Sequence, residues 1–438
     1  MESTISLHEN WSTARKISFR FIFLFFFISI FPFPLSVLPL DFLMDGITAG
    51  WTWLINITAP NILGMEGELA YRITGSGDRA YDWVQSFLWV VLSLIGGTLW
   101  TVLDRHRSSY QRLWRWGYLL FTYYLIYNLF GYGFIKAFGE QFGYPSIGRL
   151  LETYGESSPM RLLWTFMSAS EAYEQFSGWG EAIAGLLLLF HRTRTLGALV
   201  AFGVMLNVFL LNMTYDVPVK LFSFQLVLIS LYIAGADYQR LLGVFLQNKP
   251  VGSVKFPTLF TTRWKRYTFL GVQVLFAVYI MAEPIISGIE TESQYNPDRP
   301  RPALYGIHEV ELFVANGDTL PPLTTDTLRW GKAFMDLPGF NNRLLWGIKG
   351  MNNRLRYLVA KLDTTEQVLT LSSFRDTSKV YHLDYTFEEE NLHLSGVFEE
   401  DTLVIQTKYF NPDEFILLKR GFNWINDVPY NRSVPQGK

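Results

Sequence analysis

The 438-residue chain contains no cysteine. That excludes disulfide staples, thiol catalysis, CxxC redox motifs, cysteine-ligated iron–sulfur clusters and covalently attached c-type haem. Charge is also scarce, with Asp, Glu, Lys and Arg making up 17% of residues against roughly 25% in an average soluble domain. A net charge of −2 and the lack of any long basic run argue against a nucleic-acid partner. The six histidines, His8, His106, His191, His308, His382 and His393, all fall outside the long apolar runs. A b-type haem held between membrane helices therefore has no axial ligands to use. No GxSxG elbow or phosphate loop is present. No cofactor is evident, so any redox role must rely on a bound small molecule or another subunit.

What the chain has in excess is apolar and aromatic surface: 36 Phe, 23 Tyr and 14 Trp, with 49% hydrophobic residues overall. So much apolar surface calls for the lipid bilayer as a second solvent. Apolar runs long enough to cross roughly 30 Å of hydrocarbon lie at about 17–40, 82–103, 116–138, 171–190, 195–213, 219–236 and 267–288, which predicts seven spans. Lys and Arg concentrate on alternate connections. Arg15, Lys16 and Arg20 form the N-terminal flank, Arg105, Arg107, Arg112 and Arg115 follow the second span, and Arg192 and Arg194 follow the fourth. Arg240, Lys249, Lys255, Arg263, Lys265 and Arg266 follow the sixth. By the positive-inside rule the N-terminus is cytoplasmic and the C-terminus outside, in the inner (cytoplasmic) membrane. The first apolar run, Phe21 to Phe27 and on to Leu40, lacks a small-residue cleavage pattern and reads as an uncleaved helix.

Residues 41–81 read as a polar outer segment, with Trp51 and Trp53 suiting an aromatic belt or a short helix lying on the membrane, and with a turn at Gly75 to Asp78. Ser158-Pro159 is a helix start. The helical pattern after it runs to Phe190, longer than a bilayer is thick, and should bend near Ser177, Gly178 and Gly180 or project outside. Past residue 289 the composition changes: residues 289–438 carry 16 Lys and Arg against 21 Asp and Glu. Pro297, Pro300 and Pro302 make a stiff linker. Short alternating runs follow at Glu309 to Val314, Leu355 to Leu362, Gln367 to Phe374, Val380 to Phe387, Leu392 to Phe398, Leu403 to Phe410 and Phe415 to Leu418. They predict an up-and-down antiparallel sheet or small barrel outside the membrane. His382, Asp384 and His393 fall on neighbouring strands and read as surface polarity rather than a metal site. The aromatic Gly421, Phe422, Trp424 and Pro429 segment reads as packing or membrane contact.

Ionisable residues inside spans cost free energy, so they are candidates for function. Glu181 lies eleven residues before Arg192, roughly 16 Å in and near the bilayer centre. Tyr124, Asn128 and Asn207 lie at similar depth and are expected to form one polar layer with it, as a pocket or as a clamp between helices. Tyr124, Asn128, Tyr132 and Lys136 make one stripe, and Glu171, Glu174, Gly178, Glu181 and Gly185 another. Their geometry lets Lys136 pair with Glu174 near the outer surface; the alternative is that Lys136 snorkels to the interface and Glu174 is solvated. Asn212, Asp216 and Lys220 surround a tight hairpin in which Asp216 is expected to cap the next helix at Pro218.

Residues 116–236 resemble the DoxX family of small membrane proteins. The resemblance rests on Tyr132-Gly133 with Lys136, Phe176 with Gly178 and Glu181, Gly185 and its leucines, Arg192-Thr193, and the Asn212 to Lys220 segment. It implies a four-helix membrane core, and, because one family member is a subunit of a thiosulfate:quinone oxidoreductase, a quinone or other amphiphile as ligand. The expected organisation is a two-helix extension (1–115), the DoxX-like core (116–236), a cytoplasmic loop with a seventh helix (237–288) and an extracytoplasmic β-rich domain (289–438). The expected function is an accessory or binding subunit in the lipid bilayer, with an intramembrane pocket and a partner subunit at the outer domain. A proton-coupled transporter using Glu181 and the membrane component of a quinone-linked oxidoreductase are the alternatives.

Overall fold

The computed structural model describes residues 10–252, 260, 262–295, 300–338, 343–374, 376 and 378–427. His8, Lys255, Pro297 and Pro429 lie outside the described residues. The chain divides into two compact units: Met1–Phe142 with Glu171–Tyr295, which is helical, and Gly143–Ser170 with Asn296–Lys438, which is built around a β-sheet.

The helical unit contains α1 (Thr13–Ile30), α2 (Asp41–Leu63), α3 (Ala80–Leu103), α4 (Gln111–Ala137), α7 (Glu171–Leu189), α8 (Arg194–Thr214), α9 (Lys220–Gly235), α10 (Tyr238–Phe245) and α11 (Arg263–Tyr295). Among the described residues, four helical segments are long and apolar enough to cross a membrane: Thr13–Val37, Ala80–Leu103, Arg194–Thr214 and Arg263–Ile289. A fifth qualifies if α9 and α10, bent by 80° at their break, are taken together. Each of the seven expected spans is a helix, yet α4 and α7 fall short of the apolar test. The reason is compositional, since these two carry the polar stripes. Lys136, Glu174, Gly178 and Glu181 of those stripes are buried while Tyr132 and Glu171 stay exposed, and α4 is the centre of the main core, where Phe121, Leu125, Ile126, Leu129 and Phe130 meet Ala182 and Leu188 of α7, Ala198 and Ala201 of α8, and Leu226, Ile229 and Ile233 of α9.

Two local expectations change. Where a polar segment or short helix was expected after residue 41, α2 runs for 23 residues, because Ile55 and Ala59 find a partner face in Tyr81, Val84 and Leu88 of α3. The long helix expected from Ser158 to Phe190 breaks at Ala169 and Ser170, not at Ser177 to Gly180. Its first part, α6 (Pro159–Ser168), is capped by Ser158 and belongs to the β unit. The glycines in α7 serve close packing against α4 instead of bending.

In the β unit the strands are β1 (Gly306–Ala315), β2 (Asp318–Thr319), β3 (Trp330–Met335), β4 (Leu344–Gly350), β5 (Leu355–Asp363), β6 (Val368–Ser372), β7 (Val380–Glu388), β8 (Asn391–Phe398) and β9 (Asp401–Phe410). All pair antiparallel in the order β2-β1-β3-β4-β5-β6-β7-β8-β9, and β1 also pairs with β9. That pairing, from Ile307 opposite Phe410 to Ala315 opposite Leu403, closes a barrel with a bulge at Val310 to Leu312. Alternation decides what faces inward: on β8, Leu392 and Leu394 are buried while Asn391, His393 and Ser395 are exposed. The short helix α5 (Ile147–Leu150) packs outside the wall, where Ile147 and Leu151 meet Ile307 and Phe334. The run Phe415 to Leu418, expected as a strand, is helix α12 (Ile416–Lys419), because Pro412 and the Asn411 side chain, which accepts from the Asp413 N–H, start helical turns there. Strands β3 and β4 escape sequence reading because Gly331, Gly347 and Gly350 interrupt their alternation. Gly347 is required by space, since a Cβ there would lie 2.0 Å from the Phe334 ring.

A buried ion pair as candidate functional site

The site grows from glycine. α4 and α7 run antiparallel with their backbones in contact: a Cβ on Gly178 would lie 2.3 Å from Ala137 N, one on Gly133 would lie 2.9 Å from Ala182 N, and one on Gly185 would lie 2.7 Å from the Phe130 ring. Small residues permit such close approach between membrane helices. Lys136 and Glu181 each lie three residues beyond a contacting glycine and so project onto the same seam. Lys136 Nζ donates to Glu181 Oε1 at 2.6 Å, with the two side chains 8% and 2% exposed. The Tyr132 ring lies 5.8 Å from the ammonium. An ammonium has three donors, of which one goes to Glu181, so the pair retains capacity to bind a further acceptor. A pair this deeply buried is costly to desolvate, and losing one partner strands the other charge.

The expected partnerships are thereby corrected. Lys136 pairs with Glu181, not Glu174. The Glu174 Oε1 instead accepts the backbone N–H groups of Gln141 and Phe142, both at 3.1 Å, just past the end of α4. Chain reversal there exposes unpaired N–H groups that a carboxylate satisfies better than a second salt bridge could. The single layer of Glu181 with Tyr124, Asn128 and Asn207 is not formed either. Asn128 Nδ2 donates to the Tyr124 carbonyl of its own helix at 2.8 Å, and Asn207 is exposed on α8.

At the hairpin the structure brings together Asn212, Asp216 and Lys220, with a different division of roles. Asn212 Nδ2 donates to Ser223 Oγ at 3.0 Å in the α8–α9 interface. Asp216 has a positive φ of 52° and pairs with Lys220 Nζ at 2.9 Å, while its carboxylate stays 84% exposed. The cap on α9 is Asp78, whose Oδ2 accepts the Lys220 N–H at 2.7 Å and whose Oδ1 accepts the Leu221 N–H at 3.0 Å. Lys220 Nζ lies 3.7 Å from the same carboxylate. Sequence reading treats Asp78 as part of a turn. The only signal for its role is a carboxylate in a Gly-Ser-Gly-Asp turn, and its target lies more than a hundred residues away.

Arg20 is a second residue that sequence reading underuses. It counts there as a flanking charge, yet it is 2% exposed. Its guanidinium donates to Tyr110 Oη at 2.6 and 3.0 Å, to Thr101 Oγ1 at 3.1 Å and to the Asp104 carbonyl at 2.8 Å. An arginine directly beside an apolar Phe-rich run was the available clue.

The barrel places its polar groups differently. His308 is fully buried, its Nε2 lies 3.1 Å from the Leu304 carbonyl, and its ring stacks on Trp346 with centroids 6.0 Å apart. Burial pulls its pKa from 6.5 down to about 4, against a small opposing pull from that carbonyl. Arg329, 3% exposed, gives its guanidinium to the carbonyls of Leu320, Trp330, Val310 and Glu311. His382 and His393 are exposed, and among the described residues no group of three or more His, Asp or Glu is placed to hold a metal ion.

Comparison with known proteins finds one informative relationship. Over 135 residues the chain is 33% identical to the uncharacterized protein YwoB of Bacillus subtilis (strain 168), a match that covers 30% of this chain and 84% of that protein. The chain belongs to the YwoB family. No family model matches the chain, and no solved structure does. The YwoB relationship thus accounts for less than a third of the chain and carries no assigned activity with it.

Proposed function

We propose that this YwoB-family chain is a multi-pass membrane protein of the DoxX type that serves as a binding or accessory subunit. Its intramembrane site around Lys136 and Glu181 takes a quinone or another amphiphile, and its barrel engages a partner subunit. The observation that carries this reading is the buried Lys136–Glu181 pair. Ionisable groups among membrane helices are costly unless used, and a quinone carbonyl is the kind of acceptor that the remaining ammonium protons suit. The DoxX resemblance implies four helices, and α4, α7, α8 and α9 share a core here to which α1 and α11 also contribute, through Phe26, Ile30 and Ile280.

The reading places seven spans in the inner membrane, with the N-terminus in the cytoplasm and the barrel outside. Its support is a matter of parity. With seven crossings, the connection from α4 to α7 and the chain after α11 face the same side. Those two stretches form one compact unit, in which the Ile147 N–H donates to Asp336 Oδ2 at 2.7 Å and Lys349 Nζ donates to the Leu151 carbonyl at 2.6 Å. The test is native mass spectrometry of the full-length protein taken from its membrane. The expected result is a retained quinone-class or other amphiphile that Glu181→Gln releases; retention unchanged by Glu181→Gln overturns the assignment.

A second reading rests on the same carboxylate. A Glu paired with a Lys inside a helix bundle suits a proton-coupled transporter, in which protonation of Glu181 would free Lys136. In proteoliposomes with an internal pH dye, that reading expects a proton flux abolished by Glu181→Gln, and a flux that the variant leaves intact removes it.

A further inference from the structure

Two cavities of the helical unit meet at one tryptophan. The first, about 290 Å³, is lined by Trp100, Asp104, Arg107, Tyr110, Arg112, Leu113 and Trp116. The second, about 250 Å³, is walled by apolar groups from α4 and α11, chiefly Leu119, Leu120, Tyr123, Phe269 and Phe276, with Phe33 at one side and Trp116 at the end it shares with the first. Trp116 thus lines both a polar, cationic chamber and an apolar groove.

We propose that this pair of cavities is a binding site for an anionic phospholipid, with the phosphate between Arg107 and Arg112 and one acyl chain along the groove past Trp116. Charge favours an anion. Arg112 is exposed, and the Arg107 side chain, 58% exposed, reaches Asp104 only at 3.9 Å. The one carboxylate in the chamber, Asp104, is already held by the Tyr110 hydroxyl at 2.9 Å, and the buried Arg20 guanidinium also donates to that hydroxyl. Two arginines therefore outweigh one occupied acid. Basic pockets beside membrane helices are a recognised mode of lipid headgroup binding, and tryptophan at Trp100 and Trp116 suits the headgroup level.

Length selects a lipid over a free anion. From Trp116 to Tyr123 the α4 wall of the groove advances about 10 Å at 1.5 Å per residue, well over half of one leaflet of a hydrocarbon core roughly 30 Å thick. The groove suits the headgroup-proximal part of an acyl chain, and its lining is apolar except for Gln273, the Tyr123 hydroxyl and the Trp116 indole. This site is separate from the Lys136–Glu181 pair and shares no residue with it.

The experiment is lipid titration of the full-length protein in neutral detergent, read by native mass spectrometry. Phosphatidylglycerol is compared with phosphatidylcholine of the same chains, and inorganic phosphate is added as competitor. Phosphatidylglycerol should bind at least tenfold more tightly than phosphatidylcholine. Arg107→Gln with Arg112→Gln, both at exposed positions, should remove that preference while leaving the melting temperature unchanged. Leu119→Trp, which fills the groove, should weaken both lipids by about tenfold. Equal binding of the two lipids, or a preference that survives the double arginine variant, overturns the proposal. Displacement of phosphatidylglycerol by millimolar phosphate alone overturns it too, since it would reduce the site to an anion chamber without a chain groove.

Discussion

The helical unit and the barrel each bury a charge deeply, but with different partners. In the helices, a buried ammonium meets a buried carboxylate directly, Lys136 with Glu181 at 2.6 Å. In the barrel the buried cation, Arg329, is surrounded by main-chain carbonyls, and the buried His308 is kept neutral. Ion pairs remain at its surface: Lys332 with Glu309 between β3 and β1, and Arg356 of β5 with Glu399 in the β8–β9 turn. The difference has a physical source. Strands with a bulge offer free carbonyls that can take an arginine without a counter-charge. Helix interiors satisfy their own backbone, so Lys136 in the middle of a seam meets a side chain, whereas the buried Arg20 and Arg194 reach carbonyls left free at helix ends, those of Asp104 and Leu188. A direct pair is therefore the more exposed to single substitutions.

The largest effect should follow from breaking that pair on one side. Glu181→Ala leaves the Lys136 ammonium, on a side chain 8% exposed, without its carboxylate and should cost about 3–5 kcal/mol, read as thermal stability of the detergent-solubilised protein. Combined with Lys136→Met, most of the loss should return, because no charge is then left uncompensated. Equal destabilisation by the single and double variants would remove the claim that the pair acts as a unit.

The barrel's counterpart is acid sensitivity. The His308 pKa of about 4 lies below the 6.5 of an accessible histidine, so the unfolded chain takes up the proton first as pH falls. Its contribution is whole above about pH 6.5 and is lost between there and about pH 4, by roughly 3 kcal/mol from the 1.36 kcal/mol per pH unit of linkage. Chemical unfolding followed across that window should show the decline, and His308→Gln should flatten it. A decline of the same size in the variant would move the cause elsewhere.

Smaller effects sharpen the contrast at its edges. Asp78→Ala removes the carboxylate from two N–H groups at the start of α9 and should cost about 1–2 kcal/mol, as helix caps do. Asp216→Ala, at an exposed carboxylate, should cost well under 1 kcal/mol. On the barrel surface, Arg356→Ala should likewise move stability by less than 1 kcal/mol. A larger loss for Asp216 than for Asp78 would restore the capping role expected from its place beside Pro218.

Much of this was legible in the sequence. All seven apolar runs are helices, and six of the strand runs are strands, because the periods of 3.6 and 2 survive in the residues themselves. The polar stripes of α4 and α7 also pointed to the correct seam. Their pairing was misread because depth was counted along each helix alone. The register is set by where Gly133 and Gly178 let the backbones touch, which shifts Lys136 onto Glu181. Asp78 was hidden for a similar reason, since its partners lie on α9 and only the fold brings them near. Strands β3 and β4 were lost to Gly331, Gly347 and Gly350, of which Gly347 makes room for the Phe334 ring.

The central claim is that Lys136 and Glu181 form a functional site and not only a brace. It is tested most directly by the charge-free double variant Lys136→Met with Glu181→Gln, purified from its membrane and examined by native mass spectrometry beside its melting temperature. The account predicts a folded protein of near-parental stability that no longer retains the amphiphile. A double variant that keeps both its stability and its bound amphiphile would contradict it.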